Sequence, residues 1–377
     1  MTKKRGQGEG SVFRRKDGLW VAQVTVQAKH ISKYFKKQKD AIDWLQDTRN
    51  QIQNGLTYNG AQITVGVFLE DWLNSYKSSV RPKTIYQYRE IVKNKIIPAI
   101  GKIKLKDLRP DKIQYFYNTC LDNGVSERTT LLIHAVLHRA LNQALQWGLI
   151  GRNPSQAVTR PRYKRKEMMI LTGDQVGVFL AAAKETNCEV IYWLAVTTGI
   201  REGELLGLKW SDLDWENRRL QIQRQVQRLP EVGVVFSEPK TAAGKRLIVL
   251  SATVVLKLYE QKEHQELIKQ FAGDRWKENN LIFTSTVGTP VDRRNMYREF
   301  KAIIKKAELP DIRFHDLRHT AATLMLQQGV HPKVVQECLG HSDISLTLNT
   351  YSHVLPSMQD AAAEKMEELL ATLKKKY

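Results

Sequence analysis

The sequence predicts a multidomain protein, mainly α-helical with small β elements: a small β-sheet with one helix, then a helical domain, then a mixed α+β domain. Three observations carry this. Glycine-punctuated, alternating apolar residues fill the front of the chain. Apolar residues then recur at helical spacing through residues 63–158. Beyond residue 171, short strand-like runs return among helices. At 377 residues the chain is long enough for two or three domains with their own cores.

Residues 1–62 read as a separate unit marked by Gly6, Gly8, Gly10 and Gly18. Trp20, Ala22, Val24 and Val26 alternate with Val21, Gln23, Thr25 and Gln27, a half-buried strand. Residues 29–35 form the next strand. Ile42, Leu45, Arg49 and Ile52 trace a helix ending by Gly55. In residues 63–158, Val67, Phe68, Trp72 and Tyr76 line one helix. Arg81-Pro82-Lys83-Thr84 opens a second, carrying Tyr86, Tyr88 and Ile91, which Ile97-Pro98-Ala99-Ile100-Gly101 breaks. Residues 105–121 and 128–147 supply two more. Residues 159–170 are a basic linker with Arg160, Arg162, Lys164, Arg165 and Lys166 ahead of any acid.

Charge is uneven. The chain carries 59 Lys and Arg against 39 Asp and Glu, a net of +20, which favours a polyanionic partner, nucleic acid first. Residues 1–62 and 63–158 each hold a surplus of seven cations, whereas 167–377 hold 28 cations and 27 acids. The general grip on a polyanion therefore lies upstream, and the cations of the last domain are placed locally. Cys120, Cys188 and Cys338 are few and scattered, which excludes a disulfide framework and a cysteine zinc site. No apolar run is long enough for a membrane span, and residues 1–6 lack the apolar segment of a secretory signal. A cytoplasmic protein is expected.

The chemistry concentrates in residues 315–353, which hold five of the nine histidines. A helix fits residues 314–328, with His315 and Arg318 three apart in its first turn and Gly329 as a stop. A second helix fits Pro332 to Leu339, with proline first and Gly340 as C-terminal cap. His341 follows, and a third short helix runs from about Ser345 through Tyr351. A cation, two imidazoles and a phenol are thus brought toward one place. Arginine's planar fork suits the oxygens of a phosphodiester. A phenol, with a pKa near ~10, attacks well only if a base and cations assist it.

A second cation group stands upstream. Thr198-Gly199-Ile200-Arg201-Glu202-Gly203-Glu204-Leu205 opens a helix after an apolar one at 190–196, and Glu204 is spaced to orient Arg201. Glu238-Pro239-Lys240-Thr241 through Lys245-Arg246 lies between strand-like runs at 232–237 and 246–250. These read as a hairpin with a basic tip. Any of Lys240, Lys245 and Arg246 could be presented there.

Arg…Lys…His-x-x-Arg…His…Tyr in this order resembles the tyrosine recombinases, the family of phage and mobile-element integrases. The local wording is similar too: Thr-Gly-x-Arg-x-Gly-Glu-Leu, His-Asp-Leu-Arg-His-Thr, Leu-Gly-His-Ser and Tyr-Ser-His-Val. One departure is Leu346, where the pattern has a threonine beside Thr347. The resemblance implies an arm-type DNA-binding domain at 1–62 and a helical core-binding domain at 63–158, with Lys83-Thr84 in its wording. It implies a catalytic domain at 171–377 whose tail helix, striped by Ala362, Met366, Leu369 and Leu373, docks on a neighbouring subunit or on its own domain. It further implies Tyr351 as nucleophile, Arg201 and Arg318 as phosphate clamps, Lys240 as acid, His315 as base and His341 as phosphate ligand, with Glu204 in support. Lys240 is preferred over its neighbours because Lys240-Thr241 matches the family's hairpin wording.

The implied reaction needs no cofactor. The implied partners are double-stranded DNA attachment sites, further copies of the chain in a tetramer on DNA, and accessory DNA-bending or excisionase proteins. Lys83 and the linker cations Arg160, Arg162, Lys164, Arg165 and Lys166 are candidate DNA contacts. A chromosomal resolvase-type or inversion-type recombinase, a topoisomerase and a non-catalytic DNA-binding regulator remain as alternatives. His315 and His319 also have the spacing of a helical zinc pair, but Asp316 stands where a metalloprotease has Glu and no third ligand is indicated.

Overall fold

The computed structural model describes residues 10–26, 29–53, 63–163, 168–184, 186–230, 232–239 and 241–351, together with 363–364, 366–367 and 370–371. The chain forms two compact units, Met1–Arg165 and Lys166–Tyr377.

The first unit opens with an antiparallel sheet in the order β1 (Ser11–Arg14), β2 (Trp20–Val26) and β3 (Lys29–Phe35), followed by α1 (Gln38–Gln53). Ala22 and Val24 face the core as their alternation requires, and Val21 is buried as well. The buried face of α1 is Ala41 and Thr48; Ile42 is exposed, so the stripe expected from Ile42 is rotated. Gly55 lies outside the described residues.

Five helices follow: α2 (Val65–Tyr76), α3 (Pro82–Ile91), α4 (Ile97–Ile100), α5 (Pro110–Asp122) and α6 (Glu127–Gln146). Thr64 and Ser126 cap α2 and α6 by accepting from Val67 and Thr129 N–H groups. Phe68, Trp72, Ile113, Ile133 and Leu137 make the core. Val67, expected in that stripe, is 50% exposed; Val65, Leu69 and Leu73 take the inner positions.

The expected break at residues 97–101 falls at its last residue, Gly101, and not at Pro98. A π-helical turn, Val92–Ile96, joins α3 to α4, with Ile97 N–H bonded to the Val92 carbonyl. The wider turn carries the chain into a new helical start, where Pro98 lacks only a donor that needs no helical partner.

The second unit contains α7 (Gly173–Ala182), α8 (Glu189–Thr198), α9 (Glu202–Leu205), β4 (Leu213–Asp214), β5 (Arg219–Ile222), β6 (Gln225–Leu229), β7 (Gly233–Ser237), β8 (Arg246–Val249), α10 (Ala252–Ala272), α11 (Arg293–Lys306), α12 (Asp316–Gln327), α13 (Pro332–Leu339) and α14 (Ile344–Tyr351). Its main core gathers Phe179, Tyr192, Leu220, Ile248, Phe300, Phe314 and Leu317. A satellite of Ala322, Leu326, Val335 and Leu339 joins α12 to α13.

The sheets overturn the expected hairpin between residues 232–237 and 246–250. β7 pairs antiparallel with β6, while β8 pairs with β5 in the sheet β4-β5-β8. Burial explains the choice: Ile248 lies opposite Leu220 in the core, whereas Val234 and Phe236 of β7 stay exposed. Pro239 and a 3₁₀ turn at Ala242–Gly244 carry the chain from one sheet to the other. Of the tail stripe, Ala362, Leu369 and Leu373 lie outside the described residues, and Met366 is exposed. No helix among the described residues is long and apolar enough to cross a membrane.

Candidate active site

Two helix ends set the cations. α8 stops at Gly199, whose φ of 65° is left-handed, and α13 stops at Gly340 with φ 66°. Both positions are also crowded: a Cβ on Gly199 would meet Leu339 at 2.5 Å, and one on Gly340 would meet the Ala243 carbonyl oxygen at 2.9 Å. Each freed carbonyl serves an arginine. Arg318 Nη1 donates to the Gly199 carbonyl at 2.7 Å, and Arg201 Nη2 donates to the Gly340 carbonyl at 3.1 Å. The cation from the early part of the unit is thereby held by its later part, and the later cation by the early part.

Arg201 is the residue before α9. Its backbone N–H and its Nη1 both bond the carboxylate of Glu204, at 3.3 and 2.9 Å. Glu204 is 3% exposed and also accepts from Arg246 Nη2 at 2.9 Å. Burial alone would raise its carboxyl, but Arg246 and then Arg201 hold it below the ordinary range. Arg201 remains 37% exposed, so it presents an open edge, whereas Arg318 is buried beneath the site.

The imidazoles surround these guanidiniums. His315 directly precedes α12, with its ring edge-on to that of His319 at a centroid separation of 5.3 Å. Crowding by protein and then the charge of Arg318 push His315 below its usual value, with Arg201 contributing. His319 is pushed down to about 4 by burial and by His315. His341 is pushed down to about 4 by burial and then by Arg318 and Arg201. Its Nδ1 lies 2.8 Å from Thr347 Oγ1, which ties α13's exit to α14 one turn before Tyr351. Arg201, His315, Arg318 and His341 therefore share one electrostatic neighbourhood. All three rings are held neutral at pH 7.

Tyr351 closes α14. Lys240 and His353 lie outside the described residues, as do Lys164, Arg165 and Lys166. Lys245 is ion-paired to Glu238 at 2.7 Å on the surface. Arg160 and Arg162 are exposed, and so is Lys83 in the first turn of α3. Among the described residues no three His, Cys, Asp or Glu side chains are grouped so as to hold a metal ion.

Arg246 is the residue that sequence reasoning undervalued, setting it behind Lys240 among three tip cations. A signal existed. Arg246 shares a strand face with Ile248, and Leu250 is buried just beyond, so alternation turns this arginine inward.

Residues 169–358 match the phage integrase family, and residues 64–121 match the N-terminal SAM-like domain of phage integrases. A tyrosine recombinase XerC-like protein of Caldanaerobacter subterraneus subsp. tengcongensis is 30% identical, over 89% of this chain and 91% of that protein. The chain belongs to the phage integrase family.

It is a tyrosine recombinase of the phage and mobile-element type, an enzyme that cuts and rejoins DNA at specific sites. The ICEBs1 integrase of Bacillus subtilis is 25% identical to it, over 88% of this chain and 90% of that one. Solved structures share its fold. The Tn1549 transposon integrase in complex with a circular intermediate DNA aligns with a TM-score of 0.68 at 24% identity, over 82% of this recombinase and all of that chain. A lambda integrase tetramer bound to a Holliday junction aligns at 0.57 and 21% identity, over 89% and 96%.

Proposed function

We propose that Tyr351 attacks a phosphorus of an attachment-site duplex and holds the cut strand as a 3′-phosphotyrosyl ester. The observation that supports this above others is the convergence of Arg201, Arg318, His315 and His341 beside α14, the helix that Tyr351 closes. As the phenolic oxygen bonds to phosphorus, the bond to the 5′-oxygen breaks. One phosphodiester becomes another, so resealing needs no ATP or other cofactor. Arg201 and Arg318 stabilise the charge growing on the non-bridging oxygens, as a metal does in other phosphoryl-transfer sites. His315, neutral at pH 7, accepts the Tyr351 proton. His341 Nδ1 is engaged by Thr347 Oγ1; in the tautomer this reading assigns, Thr347 donates and Nε2–H serves a phosphate oxygen. Lys240 protonates the departing 5′-oxygen.

The rest of the chain positions the DNA. In this reading residues 1–62 bind flanking arm sites, 63–158 bind the core site with Lys83 on the backbone, and linker 159–170 lies along phosphates through Arg160, Arg162, Lys164, Arg165 and Lys166. The working form is a tetramer on DNA in the bacterial cytoplasm, with the tail helix joining subunits and accessory DNA-bending or excisionase proteins setting direction.

The test is a core-site duplex selected from random-sequence DNA by the full-length protein. Tyr351→Phe should bind it as wild type does and form no covalent protein–DNA adduct on a denaturing gel. Adduct formation by this variant would place the nucleophile elsewhere.

A further inference from the structure

Arg246 is a buried cation that the phosphoryl transfer above does not use. Its side chain is 6% exposed. Each of its three nitrogens meets protein: Nε donates to the Cys338 carbonyl at 2.6 Å, Nη1 to the Gly244 carbonyl at 3.1 Å, and Nη2 to Glu204 Oε2 at 2.9 Å. With Arg201 these bonds close a ring. Arg201 Nη1 holds Glu204 Oε1, Glu204 Oε2 holds Arg246, and Arg246 holds Cys338. Two residues on, the Gly340 carbonyl returns to Arg201 Nη2. The start of α9, the start of β8 and the end of α13 are tied at one point.

The packing at that point leaves little slack. A Cβ on Gly340 would stand 3.0 Å from Arg246 Nη1 as well as 2.9 Å from the Ala243 carbonyl oxygen. The charges also depend on one another. Burial pushes the Arg246 guanidinium below its usual value and the Glu204 carboxylate restores part of it, while Glu204 itself is shared between two cations. Removing Arg246 leaves Glu204 with Arg201 as its remaining ion-pair partner and releases the turn that leads to His341.

We propose that Arg246 is a positioning residue. It fixes Arg201, through Glu204, and the His341 end of α13, through Cys338, in the geometry that meets charge on the non-bridging oxygens. It touches no substrate. The inference rests on the reading of Arg201 as a clamp on those oxygens.

The test compares full-length wild type, Arg246→Gln, Arg246→Lys and Arg201→Ala on two forms of the selected core-site duplex. One carries the ordinary scissile phosphate; the other carries a methylphosphonate, whose phosphorus lacks the negative charge that the clamp serves. Both Arg246 variants should bind DNA within ~3-fold of wild type and form adduct on phosphate ~100-fold more slowly. On methylphosphonate their deficit should shrink to ~5-fold or less, and Arg201→Ala should recover likewise. Lysine keeps the charge but cannot span three acceptors, so it should not restore the phosphate rate.

An equal deficit on both substrates, while Arg201→Ala recovers, would overturn the proposal and leave the clamp standing. So would an undiminished rate on phosphate. Failure of Arg201→Ala to recover would remove the clamp reading and this inference with it. If Arg246→Gln melts early, Arg246→Lys decides; unfolding of both would make Arg246 a residue of the fold alone.

Discussion

In residues 63–158, fourteen Lys and Arg face seven Asp and Glu, and Lys83, Lys93, Lys95, Lys102, Lys104 and Lys106 all stand exposed on the surface. In residues 167–377, 28 cations face 27 acids, and the arginines that define the site are held by buried carbonyls and a buried carboxylate. The two regions handle positive charge by different physics. An exposed lysine keeps its water and binds a polyanion by releasing counterions, so its contribution adds to its neighbours' and fades with salt. An enclosed arginine is fixed in angle and distance before any substrate arrives, so its contribution is specific and nearly insensitive to salt.

The sharpest way to break this contrast is to remove an enclosed cation. Arg318→Ala should lower adduct formation about 10²–10³-fold with DNA affinity changed only a few-fold, and the deficit should persist at higher salt. A deficit that salt alone imitates would place Arg318 among the surface cations. Next in size is removal of a whole region. Residues 167–377 alone should bind duplex DNA ~10–100-fold more weakly than 63–377 at moderate salt, with a shallower slope of log affinity on log salt. Equal affinities and slopes would show that the catalytic unit carries its own grip.

Acid should act on the catalytic unit from within. His319 and His341 titrate near 4 when folded, against about 6.5 unfolded. Between those values the unfolded chain binds more protons, so stability falls as pH is lowered from about 6.5 toward 4. Each ring contributes on the order of 1 kcal/mol after allowance for solvent screening. Thermal melts of residues 167–377 should show this, with a smaller slope in His341→Gln; an unchanged slope would mean that His341 is not held neutral. The smallest effects belong to the surface. Lys83→Ala and Arg162→Ala should each weaken binding a few-fold without sequence preference and reduce the salt slope by ~1. An effect on cleavage rate with the slope intact would give either residue a positioning role.

Local chemistry was readable from the chain. Gly329, Pro332 and Gly340 bound α12 and α13 because caps and proline act over one to four residues. The strand β2 was legible because its alternation has a period of two residues. So was the grouping of Arg201 with Glu204, three residues apart on a helix start. The misreadings share a cause. Val67 and Ile42 fit a helical period, but burial against other segments decided which face turned inward. Pro98 signals a break, and a wider π turn upstream absorbed it.

By itself the sequence determined the caps that end α12 and α13, the strand β2 and the spacing that sets Glu204 beside Arg201. The tertiary structure decided which strand β8 joins, because Ile248 had to bury against Leu220 rather than follow its neighbour in the chain. It also decided that Arg246 is buried against Glu204 and the Cys338 carbonyl. The partners of Arg246 come from positions 204, 244 and 338, and no spacing along a chain encodes a bond between residues 92 apart. Caps and turns are local because their hydrogen bonds close within a few residues. Strand pairing and buried ion pairs are chosen by which distant surfaces exclude water together, and that choice exists only in the folded molecule.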